Sequence, residues 1–101
     1  MVTRTERLEF EGVVRDCHTS NKINVNFRHP YTSFRIRDDS TGTGFRTYFL
    51  TGQNKPPIQN GWYAEGTALR KEIGDGQVIF EVASMGLLDE RDGEVLHTYE
   101  L

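Results

Sequence analysis

The chain has 101 residues, of which 36% are hydrophobic and 27% are charged, a composition typical of one soluble globular domain and too short for two independent cores. Its formal net charge of −3 does not indicate a strongly basic nucleic-acid-binding domain. The absence of any run of about 20 apolar residues excludes a membrane-spanning helix, and the single cysteine, Cys17, excludes an internal disulfide.

The charged residues are distributed unevenly along the chain. Of the 12 Lys and Arg residues, eight fall in residues 1–50 beside six of the 15 Asp and Glu residues, which leaves four against nine in residues 51–101. An anion-binding surface is therefore expected in the first half. The first residues also lack the apolar stretch of a signal peptide, so we expect a cytoplasmic protein.

The first predicted strand runs from Leu8 to Arg15, where apolar and polar residues alternate with the period of a half-buried strand. Gly12 in its middle predicts a sharp bend, because a strand without a Cβ coils tightly where a small barrel turns. A polar stretch from His18 to Tyr31 follows, and the apolar residues within 23–27 predict either a short extra strand or the ordered part of a long loop.

The next two predicted strands are separated by a turn rich in Asp, Ser, Thr and Gly at residues 38–44. In the strand at 32–38, Phe34 and Ile36 are expected to face the core and Arg35 and Arg37 the solvent.

In the following strand, at 45–51, we expect Phe45, Thr47 and Phe49 to point inward. The same alternation then directs Arg46 and Tyr48 outward. This would put three guanidinium groups and one phenol on one side of two adjacent strands.

Two prolines mark residues 52–60 as a connection, because proline cannot donate a hydrogen bond to a sheet. Strands are predicted at 62–72 and 77–88, around an Asp-Gly turn that favours a tight hairpin. Trp62 shares the parity of two alanines and is expected in the core, which leaves Tyr63 exposed. A second Asp-Gly pair at 92–93 leaves open whether the acidic segment 89–101 forms a hairpin or a frayed end.

Five strands separated by glycines, without a helical pattern, predict an all-β domain that is a small closed or partly open barrel. Periodicity alone leaves an SH3-like barrel or a small sandwich as alternatives. Four segments have a more specific spacing of apolar residues and glycines: LEFEGVV at 8–14, FRIRD at 34–38 followed by TG at 41–42, IQNG at 58–61, and VIFEV at 78–82.

This spacing resembles the oligonucleotide/oligosaccharide-binding (OB) fold family, which includes domains of replication protein A and the anticodon-binding domains of some tRNA synthetases. The resemblance covers residues 8–88 and implies a single domain over 1–101, a five-stranded Greek-key barrel. The turn at 38–42 is one residue longer than the usual form, which leaves the register of the third strand open. Residues 52–60 leave little room for the short helix that is often found there.

Proteins of this fold bind single strands by combining cations that meet phosphates with aromatic rings on which bases stack, usually across strands two and three. The resemblance therefore implies binding of single-stranded DNA or RNA, with the first loop closing over the ligand. The predicted contacts are Arg35, Arg37, Arg46 and Tyr48 on the strands, Lys22, Arg28 and Tyr31 in the loop region, and Tyr63 at the rim of the barrel.

Catalysis and metal binding are not expected. The three histidines show no spacing beside a nucleophile, and Cys17, His18 and His29 lack the ligand spacing of a zinc site, so we predict a protein that is not an enzyme and needs no cofactor. The main alternative is a protein-interaction or assembly module on the same scaffold, because fold does not fix function. An oligosaccharide ligand is a further alternative, and the oligomeric state is left open.

Overall fold

The computed structural model describes residues 2–20, 30–52, 55–73 and 76–101, and these residues form one open sheet of seven strands with no helix among them. The predicted all-β class is therefore confirmed. The strands are β1 (Val2–Val13), β2 (Arg15–Ser20), β3 (Tyr31–Arg37), β4 (Phe45–Leu50), β5 (Tyr63–Ile73), β6 (Gln77–Leu88) and β7 (Val95–Glu100).

The order of strands in the sheet is β1-β5-β6-β4-β3-β2, and β7 pairs with β6 off this path. All neighbouring strands are antiparallel except β4 and β6, which are parallel and share one residue pair, Phe49 opposite Glu81. The two ends of the sheet are β1 and β2. The sheet is open and has seven strands, so the predicted five-stranded barrel is not confirmed.

The first predicted strand is divided in two at Val14. The backbone N–H of Val14 donates to the carbonyl of Trp62 at 2.8 Å, and the N–H of Gly61 donates to the carbonyl of Val14 at 2.9 Å. Asp16, with a φ of 51°, adds a further irregularity, so the chain leaves β5 and continues as β2 beside β3. The sequence predicted a bend at Gly12, and the observed break between β1 and β2 lies two residues later.

The C-terminal segment forms β7 against the second half of β6, with Met85 opposite Tyr99. The hairpin alternative for this segment is thus the one observed. Tyr99 is buried, and its hydroxyl accepts a hydrogen bond from the N–H of Gly52 at 3.1 Å. This contact ties the end of β4 to β7, and the nearby Glu81 carboxylate bonds both Thr51 and Lys71.

The core lies on the concave side of the sheet and is built around aromatic rings. Tyr48 stacks on Phe10 with ring centroids 4.5 Å apart and lies 5.7 Å from Phe34. A Cβ atom on Gly12 would come within 2.4 Å of Cγ2 of Ile36. The missing side chain of this glycine therefore lets β1 approach β3 across the core.

The parity predicted for β4 is wrong. Tyr48 is 3% exposed and Leu50 is fully buried, whereas Phe45 and Phe49 are only half-buried. The reason is the register with β3, in which Tyr48 stands opposite Phe34. Since residues in a cross-strand pair share a face of the sheet, the partner of a core residue also faces the core.

The prediction for Trp62 and Tyr63 is only partly correct. Trp62 packs against the core and lies 5.9 Å from the ring of His97. Tyr63 points to the opposite face, as expected, but it is 7% exposed and its hydroxyl donates to Glu11 at 2.7 Å. Tyr63 therefore does not offer a free ring at the rim. Within the described ranges, no helix is long and apolar enough to cross a membrane.

Candidate nucleic-acid interface

The convex side of β2, β3 and β4 carries a group of cations and aromatic rings that we call the arginine–aromatic face. Cross-strand register assembles it, since Arg15 stands opposite Arg35 and Arg37 stands opposite Phe45. Ser33 pairs with Phe49 in the same way. The face comprises Arg15, Tyr31, Arg35, Arg37, Phe45 and Phe49.

The rings of this face lie at its two ends. Tyr31 and Phe49 meet edge to face with centroids 5.4 Å apart. At the other end, the guanidinium carbon of Arg15 lies 5.8 Å from the centre of the Phe45 ring, within the range of a cation–π contact. Both Phe45 and Phe49 are half-buried. Two aromatic surfaces are thus held in place at the two ends of the face.

The arginines on this face have only weak intramolecular partners. Arg35 lies 3.8 Å from Asp16 with 52% of its side chain exposed, and Arg37 lies 3.2 Å from Asp39 with 74% exposed. Exposed ion pairs of this kind contribute little to stability. The sequence did not predict these two carboxylates beside the arginines, but both guanidinium groups are open to exchange them for a phosphate.

Arg46 does not belong to this face, contrary to the prediction. Its side chain is 23% exposed, pairs with Asp38 at 3.1 Å, and lies over the Phe80 ring with its guanidinium carbon 4.4 Å from the centroid. Hydrogen bonds from the hydroxyl and N–H of Ser40, together with the charge of Arg46, lower the pKa of Asp38. The same reversal of parity that buries Tyr48 turns Arg46 toward the inner side of β4.

The predicted site residues thus fall into three groups. Arg35, Arg37 and Tyr31 lie together on the arginine–aromatic face, whereas Arg46, Tyr48 and Tyr63 are directed elsewhere or buried. Lys22 and Arg28 lie outside the described residues.

The sequence reasoning missed three residues of the face, namely Arg15, Phe45 and Phe49. The alternation of both phenylalanines suits an inward face as well as an outward one, and the sequence alone predicts them in the core. The sequence does contain a second set of alternating apolar residues in this strand, Tyr48 and Leu50. This set is similar in apolar size to Phe45 and Phe49, so it could face the core in their place. The sequence predicts Arg15 as the end of the first strand, because no residue near Val14 indicates that the chain changes its partner strand there.

The cysteine and histidine side chains do not form a further site. Cys17 is half-buried, its thiol lies 3.7 Å from the carbonyl oxygen of Ile58, and burial raises its pKa. In the part of the chain that the structure describes, no three His, Cys, Asp or Glu side chains are grouped so as to hold a metal ion.

Comparison with known proteins adds no relative. No protein-family model matches the chain, and no curated protein and no solved structure is significantly similar to it. The function has to be argued from the geometry of the arginine–aromatic face.

Proposed function

We propose that this protein binds single-stranded nucleic acid through the arginine–aromatic face. The observation that carries the proposal is the register that brings Arg15, Arg35 and Arg37 onto one side of the sheet together with the rings of Phe45 and Phe49. Non-specific single-strand binding needs these two ingredients, cations along a groove and rings on which successive bases stack.

The division of labour follows from the chemistry of the side chains. The guanidinium groups of Arg15, Arg35 and Arg37 each present several donors in a planar fork, which suits the oxygens of a phosphate. The Phe45 and Phe49 rings offer apolar surfaces for two bases. Because every base has a π face, this arrangement binds with little regard to sequence.

We further propose that the sheet curls into an OB-type barrel. The two ends of the sheet, β1 and β2, are consecutive in the chain and meet at Val14, which is fully buried. The approach of Gly12 to Ile36 brings β1 against β3 on the inner side. These contacts support a partly open barrel whose convex β3–β4 surface binds the ligand.

The alternative function is a protein-interaction module. It is favoured by a second convex surface, on β1 and β5, where Glu11 stands directly opposite Glu65 and Glu9 lies two residues away. Such a surface would attract a basic partner and repel a polynucleotide. It lies on other strands than the arginine–aromatic face, so the two functions are separable by experiment.

The test is a titration of the protein into fluorescently labelled oligothymidylate and oligouridylate at several salt concentrations, read as anisotropy. Binding through phosphates gives a log–log salt slope of about −0.7 for each contact to a single strand, so three arginines predict a slope of about −2. Absence of binding at low salt, or binding without a salt slope, would overturn the proposal and leave the interaction module as the candidate.

A further inference from the structure

β4 and β6 separate on one side of their single residue pair and leave a cleft between them. They are paired only where Phe49 meets Glu81, and toward the N-terminal ends of both strands a cleft of about 460 Å³ opens. Its walls include the rings of Phe45, Phe49 and Phe80 and the side chain of Val78. Its volume is within the range of small-molecule sites.

The polar groups in this cleft are mainly donors. Arg46 and Arg70 both line it, and no carboxylate is among its described lining residues. By contrast, the surface depression on the paired strands β1 and β5 is lined by Glu9, Glu11 and Glu65. A guanidinium group donates hydrogen bonds and accepts none, so the β4–β6 cleft is suited to a ligand edge that carries acceptors.

Arg46 supplies a donor that lacks a partner. Its Nη1 bonds Asp38, but its Nε is buried and has no hydrogen-bond acceptor among the described residues. Because this Nε has almost no accessible surface, a ligand acceptor in the cleft would bond the remaining, partly exposed guanidinium nitrogens of Arg46. Arg70 on β5 stands opposite Phe80 on β6, and its Nη1 bonds Glu72 at 2.8 Å. The two arginines therefore flank the ring of Phe80.

The cleft is continuous with the arginine–aromatic face, because Phe45 and Phe49 line both. We propose that it takes one base of the bound strand and prefers thymine and uracil, which carry carbonyl oxygens at both C2 and C4, over cytosine, whose C4 carries an amino group. This inference rests on the proposed function. An exocyclic amino group placed toward Arg46 or Arg70 would meet another donor, whereas a carbonyl oxygen accepts from it.

The experiment compares oligothymidylate with oligocytidylate, both of about eight nucleotides. It follows the Kd for oligocytidylate divided by the Kd for oligothymidylate. The variant Val78→Glu adds a carboxylate to the cleft, and the matched control Gln77→Glu adds the same charge at the neighbouring exposed residue. Non-specific repulsion weakens the binding of both oligonucleotides equally in both variants, and so it leaves the ratio unchanged. A carboxylate inside the cleft accepts from the cytosine amino group and lowers the ratio by about tenfold, a usual size for one hydrogen-bonded base contact.

Arg70→Gln provides a second variant, which lowers the net charge by one as Gln77→Glu does but removes a donor from the cleft, and it should lower the same ratio toward one. An unchanged ratio in Val78→Glu and Arg70→Gln, or an equal change in Gln77→Glu, would overturn the base cleft. In those cases the arginine–aromatic face could still bind both oligonucleotides, with its salt slope intact. If neither oligonucleotide binds the unaltered protein at low salt, the proposed function itself fails and the base cleft fails with it.

Discussion

Arg15 and Arg35 stand directly opposite each other on β2 and β3, so that one cross-strand pair holds two positive charges. Like charges in such a pair destabilise a sheet, and the one described carboxylate near Arg35, that of Asp16, lies 3.8 Å away with 69% of its side chain exposed. A bound anion would relieve this repulsion. The pair is therefore a natural centre for phosphate binding.

Replacing Arg35 or Arg37 by Ala should reduce the salt dependence of single-strand binding. Each variant removes one phosphate contact, so the log–log slope should become shallower by about 0.7. Arg91→Ala, at an exposed residue of the β6–β7 turn, is the control and should leave the slope unchanged. An equal loss of slope in all three variants would mean that net charge, and not this face, governs binding.

Replacing Phe45 or Phe49 by Ala should weaken binding without altering the slope. Loss of one stacked base costs about 1 to 3 kcal/mol, measured by anisotropy at fixed salt. Tyr48→Phe removes only a hydroxyl from a buried ring and should bind as the unaltered protein does. Binding that depends on the Tyr48 hydroxyl but not on Phe45 or Phe49 would contradict the observed parity of β4.

Gly12→Ala should destabilise the fold by about 1 to 3 kcal/mol, because the added methyl would meet Cγ2 of Ile36 at 2.4 Å. Gly42→Ala is the matched control, since nothing lies within 4 Å of its Cβ position, and it should change stability by less. The double variant Gly12→Ala/Ile36→Leu lacks the clashing branch and should recover part of the loss in urea unfolding. If the loss of unfolding free energy in the double variant equals the sum of the losses in the two single variants, the proposed clash is refuted.

Stability should fall at alkaline pH through Tyr48 and Tyr99. Burial raises the pKa of both phenols above the ordinary value of 10.0, so the folded state keeps protons that the unfolded chain releases. The resulting stability is complete below about pH 10 and is lost as pH rises through the higher folded pKa. Urea unfolding across this range measures it, and Tyr99→Phe should make the decline shallower. A free energy of unfolding that does not change as the pH rises above the ordinary tyrosine pKa of 10.0 would contradict the prediction.

Local sequence determined the class of fold and half of the candidate face. The alternation in residues 32–38 has only one apolar set, so Phe34 and Ile36 had to face the core and Arg35 and Arg37 the solvent, as observed. Gly12 likewise predicted a bend in the first strand, and the break at Val14 lies two residues later. These features depend on the period of a strand and on the lack of a Cβ, and both can be read from neighbouring residues.

The rest was decided by tertiary structure. In β4, Phe45 and Phe49 compete with Tyr48 and Leu50 for the core, and the two sets are nearly equal in apolar area, so periodicity cannot choose between them. Register with β3 makes the choice by placing Tyr48 opposite Phe34, between the rings of the core. A shift of one residue inverts every side chain of a strand, and this is why the rings beside the arginines became apparent only once the strands were paired.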